Sequence, residues 1–383
     1  MKKLLVIATL LFATCASAQV REGATAREAT ARFGETIARA LNERDDQAFA
    51  SLIDLRSLAV RSSKVLELNA GDQESYVRGV ETVGLQRMIA GYFQTMNASN
   101  GAAQFMRVTN TTPARALVRL DLGANGFDYL EYVVETREGR TRAVDWFQLS
   151  SGELISVTMG GIAQLFTSGD PGLVGRLFNV EKVDQTAVTK LRKIGELQRA
   201  GKYAEALAAL QQLPPQFANA RIMLSMQASM ALLAKDDDAY SRVLAKLAEK
   251  YSDDPAAAFK LVDHYLLQKD LPNTLKAIDT MEKRVGVDGV TNYLRAAAYI
   301  VSDDFGSGLK YAEQSIKLEP DRMNGYDMRA SALVGLGRFP EAVDQYRDIE
   351  KRFEVQLTRQ IFEEDPKFAK FVASPAFKSW LPR

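Results

Sequence analysis

The chain has 383 residues and a formal net charge of +1 at pH 7, with 46% apolar and 25% charged residues, which is typical of a globular protein. A charge this close to neutral gives no electrostatic reason to expect a nucleic-acid partner. The single cysteine, Cys15, lies in a predicted leader, so we expect neither disulfides nor thiol chemistry in the rest of the chain.

Residues 1–18 have the features of an export signal. Two lysines follow the first methionine, a short apolar run covers Leu4–Ala13, and the small residues Ala16–Ala18 form a cleavage site. The run is too short to span a bilayer, and no later stretch approaches the ~20 apolar residues that a membrane helix needs. We therefore expect secretion, most simply into a bacterial periplasm, and a mature chain without an integral membrane segment.

Residues 19–166 change halfway from helical to strand-like patterning. Apolar residues at helical spacing predict helices over 26–41, 46–53 and 80–96, and the second half alternates with period two. The five predicted strands are 105–109, 114–122, 127–135, 143–149 and 154–159. Because the connecting turns are short, neighbouring strands should be antiparallel. Helices followed by a meander predict an α+β domain with the helices packed on one sheet face.

This layout resembles the nuclear transport factor 2-like superfamily, a cone-shaped α+β roll. The resemblance implies either a ligand cavity between sheet and helices or dimerisation through the outer sheet face. Because enzymes of that superfamily use an acidic side chain, the candidate pocket residues are Tyr129, Glu131, Asp145 and Trp146. Both strand faces are mixed, so the sequence leaves open which face is inside. The carboxylates could equally lie on a solvated face, and the aromatic residues in the core.

A predicted linker, 167–186, separates this domain from a segment that repeats itself, 187–356. The period is 34 residues, and the same turn position recurs at Gly201, Lys235, Lys269, Asp303 and Gly337. Apolar and small residues at helical spacing lie on both sides of each turn, which predicts a pair of helices per unit. One helix pair cannot bury its apolar face alone, so the five repeats must stack.

The segments GKYAEAL at 201–207 and GRFPEAV at 337–343, together with the 34-residue period and KLEP at 317–320, resemble tetratricopeptide repeats (TPR). Position 20 of that pattern is normally alanine. It is alanine in the first and last repeats, but the three middle repeats carry Tyr240, Thr274 and Gly308 there. The resemblance implies a helical-repeat superhelix whose first helices line an inner surface for a protein or peptide.

Positions 5 and 9 of the first helices supply the candidate groove residues. These are Phe259, Asp263, Tyr293 and Asp327. The two aromatic side chains could anchor an apolar side chain of a peptide, or they could pack between repeats. Family members that bind chaperone tails carry Lys and Asn at these positions to clamp a terminal carboxylate. This chain has neither residue type there, so we do not expect that binding mode.

Residues 357–383 are predicted to be capping helices. We expect helix to continue over Val355–Phe362, and two short helices to begin at Asp365-Pro366 and Ser374-Pro375. The apolar residues expected to cover the last repeat are Phe368, Phe371, Phe377, Trp380 and Leu381. Alternatively, this segment is a hydrophobic tail that docks onto a partner.

Motifs for metal, nucleotide or catalytic chemistry are weak. The single histidine, His264, cannot form a two-histidine metal site, and because it lies on a repeat helix it cannot be a Ser-His-Asp base in the first domain. The acidic runs 236–238 and 363–365 lack calcium-loop spacing. The glycines near 195–202 lack the spacing of a phosphate-binding loop and its Ser or Thr. We expect no metal and no cofactor.

The sequence thus predicts an exported, non-enzymatic multidomain protein, with an N-terminal α+β domain followed by all-α TPR-like repeats. Its predicted role is that of a scaffold or adaptor for a protein or peptide, and a homo-oligomer is a further possibility. The alternative is small-molecule binding, or a hydrolase or isomerase activity, in the cavity of the first domain. In that case the repeats would be an oligomerisation surface.

Overall fold

A computed structural model of the chain describes residues 25–66, 68–98, 100–123, 126–160 and 185–381. It confirms the predicted fold class, since helices and an antiparallel sheet come first and a series of helix pairs follows. The chain divides into two units, one ending at Ala234 and one beginning at Lys235. The predicted leader and residues 167–184 of the predicted linker lie outside the described residues.

The first unit begins with four helices. They are α1 (25–43), α2 (Asp46–Ser51), α3 (Leu55–Val65) and α4 (Ala70–Ala98). Neither α3 nor residues 70–79 of α4 is predicted by the apolar pattern. Serines interrupt the apolar face of α3, but Ser62 and Ser63 are buried with hydrogen-bond partners. The Ser62 hydroxyl lies 2.7 Å from the Tyr76 hydroxyl, and that of Ser63 donates to the Val60 carbonyl at 2.8 Å.

The sheet is an antiparallel meander, as expected. Its strands pair in the order β1 (Ala102–Val108), β2 (Arg115–Asp121), β3 (Phe127–Arg137), β4 (Arg140–Gln148) and β5 (Glu153–Leu154). The predicted fifth strand, 154–159, is wrong because residues 155–160 are helical. Asp145 accepts hydrogen bonds from the backbone N–H of Ser156 at 3.1 Å and from its hydroxyl at 2.6 Å. These bonds hold the chain in a helical turn beyond β5.

The helices pack on one face of this sheet, as predicted. From α1, Phe33 and Ile37 join Leu130, Tyr132 and Trp146 of the sheet in one buried cluster. The ring centroids of Phe33 and Tyr132 are 5.6 Å apart, and those of Tyr132 and Trp146 are 5.7 Å apart. Burial of these large apolar side chains is the main force that fixes helices to sheet.

Five helix pairs follow at the predicted positions. Repeat 1 is Gln185–Arg199 and Tyr203–Gln211, repeat 2 is Arg221–Leu233 and Asp237–Tyr251, repeat 3 is Pro255–Leu267 and Leu271–Val285, repeat 4 is Gly289–Val301 and Phe305–Leu318, and repeat 5 is Met323–Gly335 and Phe339–Phe353. A short helix, Pro215–Ala218, lies between repeats 1 and 2. The border between the two units falls in the turn of repeat 2.

The recurring turn position has one backbone conformation in all five repeats. The φ values are 72° at Gly201, 56° at Lys235, 55° at Lys269, 61° at Asp303 and 72° at Gly337. In repeat 5, the N–H of Gly337 donates to the Val334 carbonyl at 3.0 Å, and that of Arg338 to the Leu333 carbonyl at 2.9 Å. This bond pair is the Schellman ending of a helix, which needs a left-handed residue. The 34-residue period is therefore the period of a helix stop.

The residue after the turn starts the second helix in the three middle repeats. Asp236 accepts from the N–H of Ala239 at 2.9 Å, and Asp270 accepts from that of Asn273 at 3.1 Å. Asp304 accepts in the same way from the residue three positions later, at 3.0 Å. A carboxylate at this position satisfies helix N–H groups that have no partner within the helix. Each turn therefore carries both a stop and a start signal.

The C-terminal cap follows the prediction except at its beginning. Glu354, with φ of 53°, ends the second helix of repeat 5, and residues 355–358 are not helical, so the helix predicted over 355–362 is wrong in its first half and present in its second. The later elements are helices Arg359–Glu363, Ala369–Ala373 and Pro375–Trp380, and a 3₁₀ turn at Pro366–Phe368. Phe371 and Phe377 are fully buried with Tyr346 of repeat 5. These residues therefore cover the last repeat.

None of the helices in the described ranges combines the length and the hydropathy that a membrane-spanning segment needs.

Candidate functional site

The candidate groove residues lie on three helices that contact one another. The first helix of repeat 4 contacts the first helices of repeats 3 and 5. Phe259 and Asp263 come from repeat 3, Tyr293 from repeat 4 and Asp327 from repeat 5. The two aromatic side chains are half-buried, and both aspartates are exposed. The structure thus brings the predicted residues to neighbouring helices of one unit.

Tyr293 interacts with residues of both neighbouring repeats. Burial raises the pKa of its hydroxyl above the ordinary value, and the negative charge of Asp263 raises this pKa further. Arg322 and a hydrogen bond with Asn324 lower the same pKa, and Asp327 raises it slightly. Tyr293 therefore lies between a carboxylate of repeat 3 and one of repeat 5.

Both aspartates are accessible to solvent although protein surrounds them. Displacement of water by the surrounding protein raises the pKa of the Asp263 carboxyl, and the charge of Lys260 opposes this shift. The same displacement alone raises the pKa of Asp327. A side chain that is both crowded and exposed is typical of a concave surface. Because both carboxylates reach water, solvent screens the shift, and we expect both to be ionised at neutral pH.

Two further tyrosines extend this arrangement. Burial and the charge of Asp263 raise the pKa of Tyr240, in the second helix of repeat 2, to about 12. Burial and the charge of Asp327 raise the pKa of Tyr346, in the second helix of repeat 5, and a hydrogen bond with Ser331 opposes this. We call the following five residues the Tyr–Asp row: Tyr240, Asp263, Tyr293, Asp327 and Tyr346.

Sequence reasoning missed the contributions of Tyr240, Tyr346, Arg322 and Asn324 to this surface. Tyr240 had a detectable signal, because it replaces the alanine that the TPR pattern has at position 20. The same position is buried as Thr274 in repeat 3. In repeat 4 it is Gly308, where a Cβ would lie 2.6 Å from Ile300. A tyrosine at this crowded crossing of helices is thus the exception among the middle repeats.

The four candidate pocket residues of the first domain do not share one face of the sheet. Trp146 pairs with Tyr132, and both face the helices. Tyr129 and Glu131 alternate with Tyr132 along β3 and therefore point to the opposite face. Asp145 pairs with Val133, so it belongs to that opposite face as well. All four residues are buried.

The two carboxylates of this set are held by hydrogen bonds and an ion pair. Glu131 accepts from the Arg115 guanidinium at 3.1 Å. Burial raises the pKa of Asp145, and its hydrogen bonds with Ser156 and with the Trp146 N–H lower it. The Trp146 indole N–H donates to the Tyr92 hydroxyl at 3.1 Å. These contacts fasten strands and turns to one another.

His264 is buried, with 6% of its surface exposed. Its Nε2 lies 3.3 Å from the amide nitrogen of Gln268. Burial lowers the pKa of the imidazole, and the charge of Asp270 opposes this shift. Within the described ranges, no three His, Cys, Asp or Glu side chains come together in a group that could hold a metal ion.

No model of a known protein family matches the chain, and no curated protein matches it. Among solved structures, the chain is similar to MamA 41-end from Desulfovibrio magneticus RS-1. The identity is 16% and the TM-score 0.38, and the similarity covers 44% of this chain and 96% of that one. A similarity at this level supports no conclusion about function. The C-terminal half is a helical-repeat array on the strength of its own helix pairs and turns.

Proposed function

We propose that this protein is a TPR-type scaffold or adaptor that binds a protein or peptide along the first helices of repeats 3–5, and that it catalyses no reaction. The observation that carries the proposal is the Tyr–Asp row, which spans the neighbouring first helices of repeats 3–5, with Asp263 and Asp327 exposed and Tyr293 half-buried between them. An enzyme would need such groups to converge on one reacting atom, whereas this row is spread along an array of helices.

The chemistry of the row suits an extended segment. Half-buried aromatic side chains such as Phe259 and Tyr293 can bury apolar surface at little cost in side-chain entropy. At the position equivalent to Asp263, repeats 4 and 5 carry the small residues Ala297 and Ser331, both half-buried. Small residues leave room for a main chain to lie close to the helices. The row therefore offers anchors with space between them.

We also propose that the chain is exported, most simply to a bacterial periplasm. The support is the sequence of residues 1–18, with its lysines, short apolar run and small-residue cleavage site. The partner would then be an envelope protein or a second copy of this chain.

The experiment is affinity capture of envelope proteins by the full chain and by a Phe259→Ala/Tyr293→Ala variant. The control is Tyr311→Ala, in the second helix of repeat 4, whose ring stacks on Tyr299 at 5.4 Å and is not part of the row. Circular dichroism checks that each variant folds. We expect one partner to be lost with the double variant and kept with the control. Recovery of the same proteins with all three would refute the proposal.

The roll-cavity alternative finds no support among the described residues, because its four candidate residues are divided between two faces of the sheet. It predicts turnover of a small molecule that disappears on Glu131→Gln or Asp145→Asn. Such a result would replace the scaffold proposal by an enzymatic one.

A further inference from the structure

Asp327 is an exposed acceptor that the chain itself does not use. Within the described ranges it takes part in no ion pair and no hydrogen bond, and it is the surrounding protein that perturbs its carboxyl. Nearby charges are paired, since Arg322 lies 3.7 Å from Glu319 and Arg329 lies 3.6 Å from Glu313. A carboxylate crowded by protein and left without a cation is suited to accept one from a partner.

Asp263 is a second exposed carboxylate, two repeats away. The cation that acts on it is Lys260, three residues earlier on the same helix. Asp263 and Asp327 lie on the outer two of three contacting helices, with Tyr293 on the middle one. Packed helices have axes about 8–10 Å apart, so the axes of the outer two helices are separated by roughly 16–20 Å.

An extended chain rises about 3.3 Å per residue, so roughly five or six residues cover this separation. Successive side chains of an extended chain point to opposite sides, so a segment lying across the three helices would place two side chains six residues apart at the two aspartates. Its middle residues would lie over Tyr293.

We propose that the segment bound by the Tyr–Asp row is extended and basic, with one Lys or Arg at Asp263 and a second, six residues away, at Asp327. This inference rests on the proposed function, because it names the chemistry of the partner for the same surface. Charge-assisted hydrogen bonds to the two carboxylates provide the specificity. An acidic segment, or one held by its terminal carboxylate, would be repelled by like charge.

The test is selection from a pool of random dodecapeptides by the full chain. The test variant is Asp263→Asn/Asp327→Asn, which keeps side-chain size and removes two negative charges. The matched control is Asp344→Asn/Asp348→Asn, which removes two exposed negative charges from the second helix of repeat 5. A selected peptide is then labelled and titrated against each protein by fluorescence anisotropy.

We expect Lys or Arg to be enriched at two positions six residues apart. Each exposed charge pair contributes modestly, so the selected peptide should bind the test variant about tenfold more weakly and the control as tightly as the unchanged chain. Binding to the unchanged chain should weaken with salt. The proposal is overturned if no basic residue is enriched, or if the test variant binds the peptide as tightly as the control does.

The outcomes separate this inference from the proposed function. Selected peptides that lack basic residues, but lose binding with Phe259→Ala/Tyr293→Ala, would refute the basic segment and retain the groove. Selected peptides whose binding is unchanged in both variants would refute the groove itself.

Discussion

Replacing Gly337 with alanine should destabilise the second unit through the backbone alone. Gly337 ends the first helix of repeat 5 with φ of 72°, and a Cβ added there would meet no atom within 4 Å. The left-handed conformation costs a residue with a Cβ about 1–2 kcal/mol. The lower unfolded-state entropy of alanine offsets about 0.4–1 kcal/mol of this. We expect a net loss of about 1 kcal/mol in the free energy of unfolding.

Gly306→Ala is the matched control. Gly306 is the second residue of the helix Phe305–Leu318, and it is not among the residues with positive φ. An added Cβ would lie 3.7 Å from its nearest neighbour, a carboxylate oxygen of Asp304, which is ordinary contact. Alanine is up to ~1 kcal/mol better than glycine in a helix. The same substitution should therefore stabilise this unit.

The assay is urea unfolding of the full chain, followed by circular dichroism. With a slope of ~2 kcal/mol per M, a loss of ~1 kcal/mol lowers the midpoint by ~0.5 M for Gly337→Ala, and Gly306→Ala should raise it. If both midpoints move in the same direction, or if Gly337→Ala leaves the midpoint unchanged, the turn position does not act through its left-handed backbone.

Three further substitutions test packing, titration and a tether between elements. Gly335→Ala would place a Cβ 2.2 Å from the ring of Phe305. Such overpacking should lower the free energy of unfolding in urea by about 1–3 kcal/mol. An unchanged midpoint would contradict this contact. Burial lowers the pKa of His264 in the folded chain below its unfolded value. The stability that the neutral imidazole contributes is therefore complete above pH ~6.5 and is lost as the pH falls further. The stability of the unchanged chain relative to His264→Asn should therefore decrease from neutral pH to about pH 5, whereas a constant difference would refute the shift. Arg221 donates to two carbonyls of the β4–β5 turn, each at 3.1 Å. Arg221→Met should therefore destabilise the first unit by about 1–3 kcal/mol. Arg39→Met, at an exposed position, is the neutral control. Equal midpoints for these two variants would show that the tether contributes nothing.

The repeat array is predictable from sequence because its signals are local. A left-handed residue such as Gly337 stops one helix, and a carboxylate such as Asp304 starts the next, each within a few residues. The last helix of the cap likewise begins at Ser374, whose hydroxyl accepts from the Phe377 N–H at 3.2 Å. The phase of these turns also identifies Tyr293 and Asp327 as candidate groove residues, since residues in equal phase occupy equivalent faces of stacked helices.

The remaining features depend on residues distant in sequence. Whether Glu131 or Tyr132 faces the helices is decided by what packs on each side, because alternation by itself is symmetrical between the two faces. The chain turns helical after β5 because Asp145, eleven residues earlier, takes both hydrogen-bond donors of Ser156.

For the candidate site too, the sequence predicts one part and only the tertiary structure decides the other. The sequence predicts which residues of each first helix are candidates for the groove, through the phase of the repeat and its resemblance to the TPR pattern. Only tertiary packing placed Asp263 and Asn324, from the repeats on either side, beside Tyr293. The physical reason is that helix stops and starts are satisfied within a few residues of chain, whereas neighbours across repeats are selected by how whole helix faces fit together.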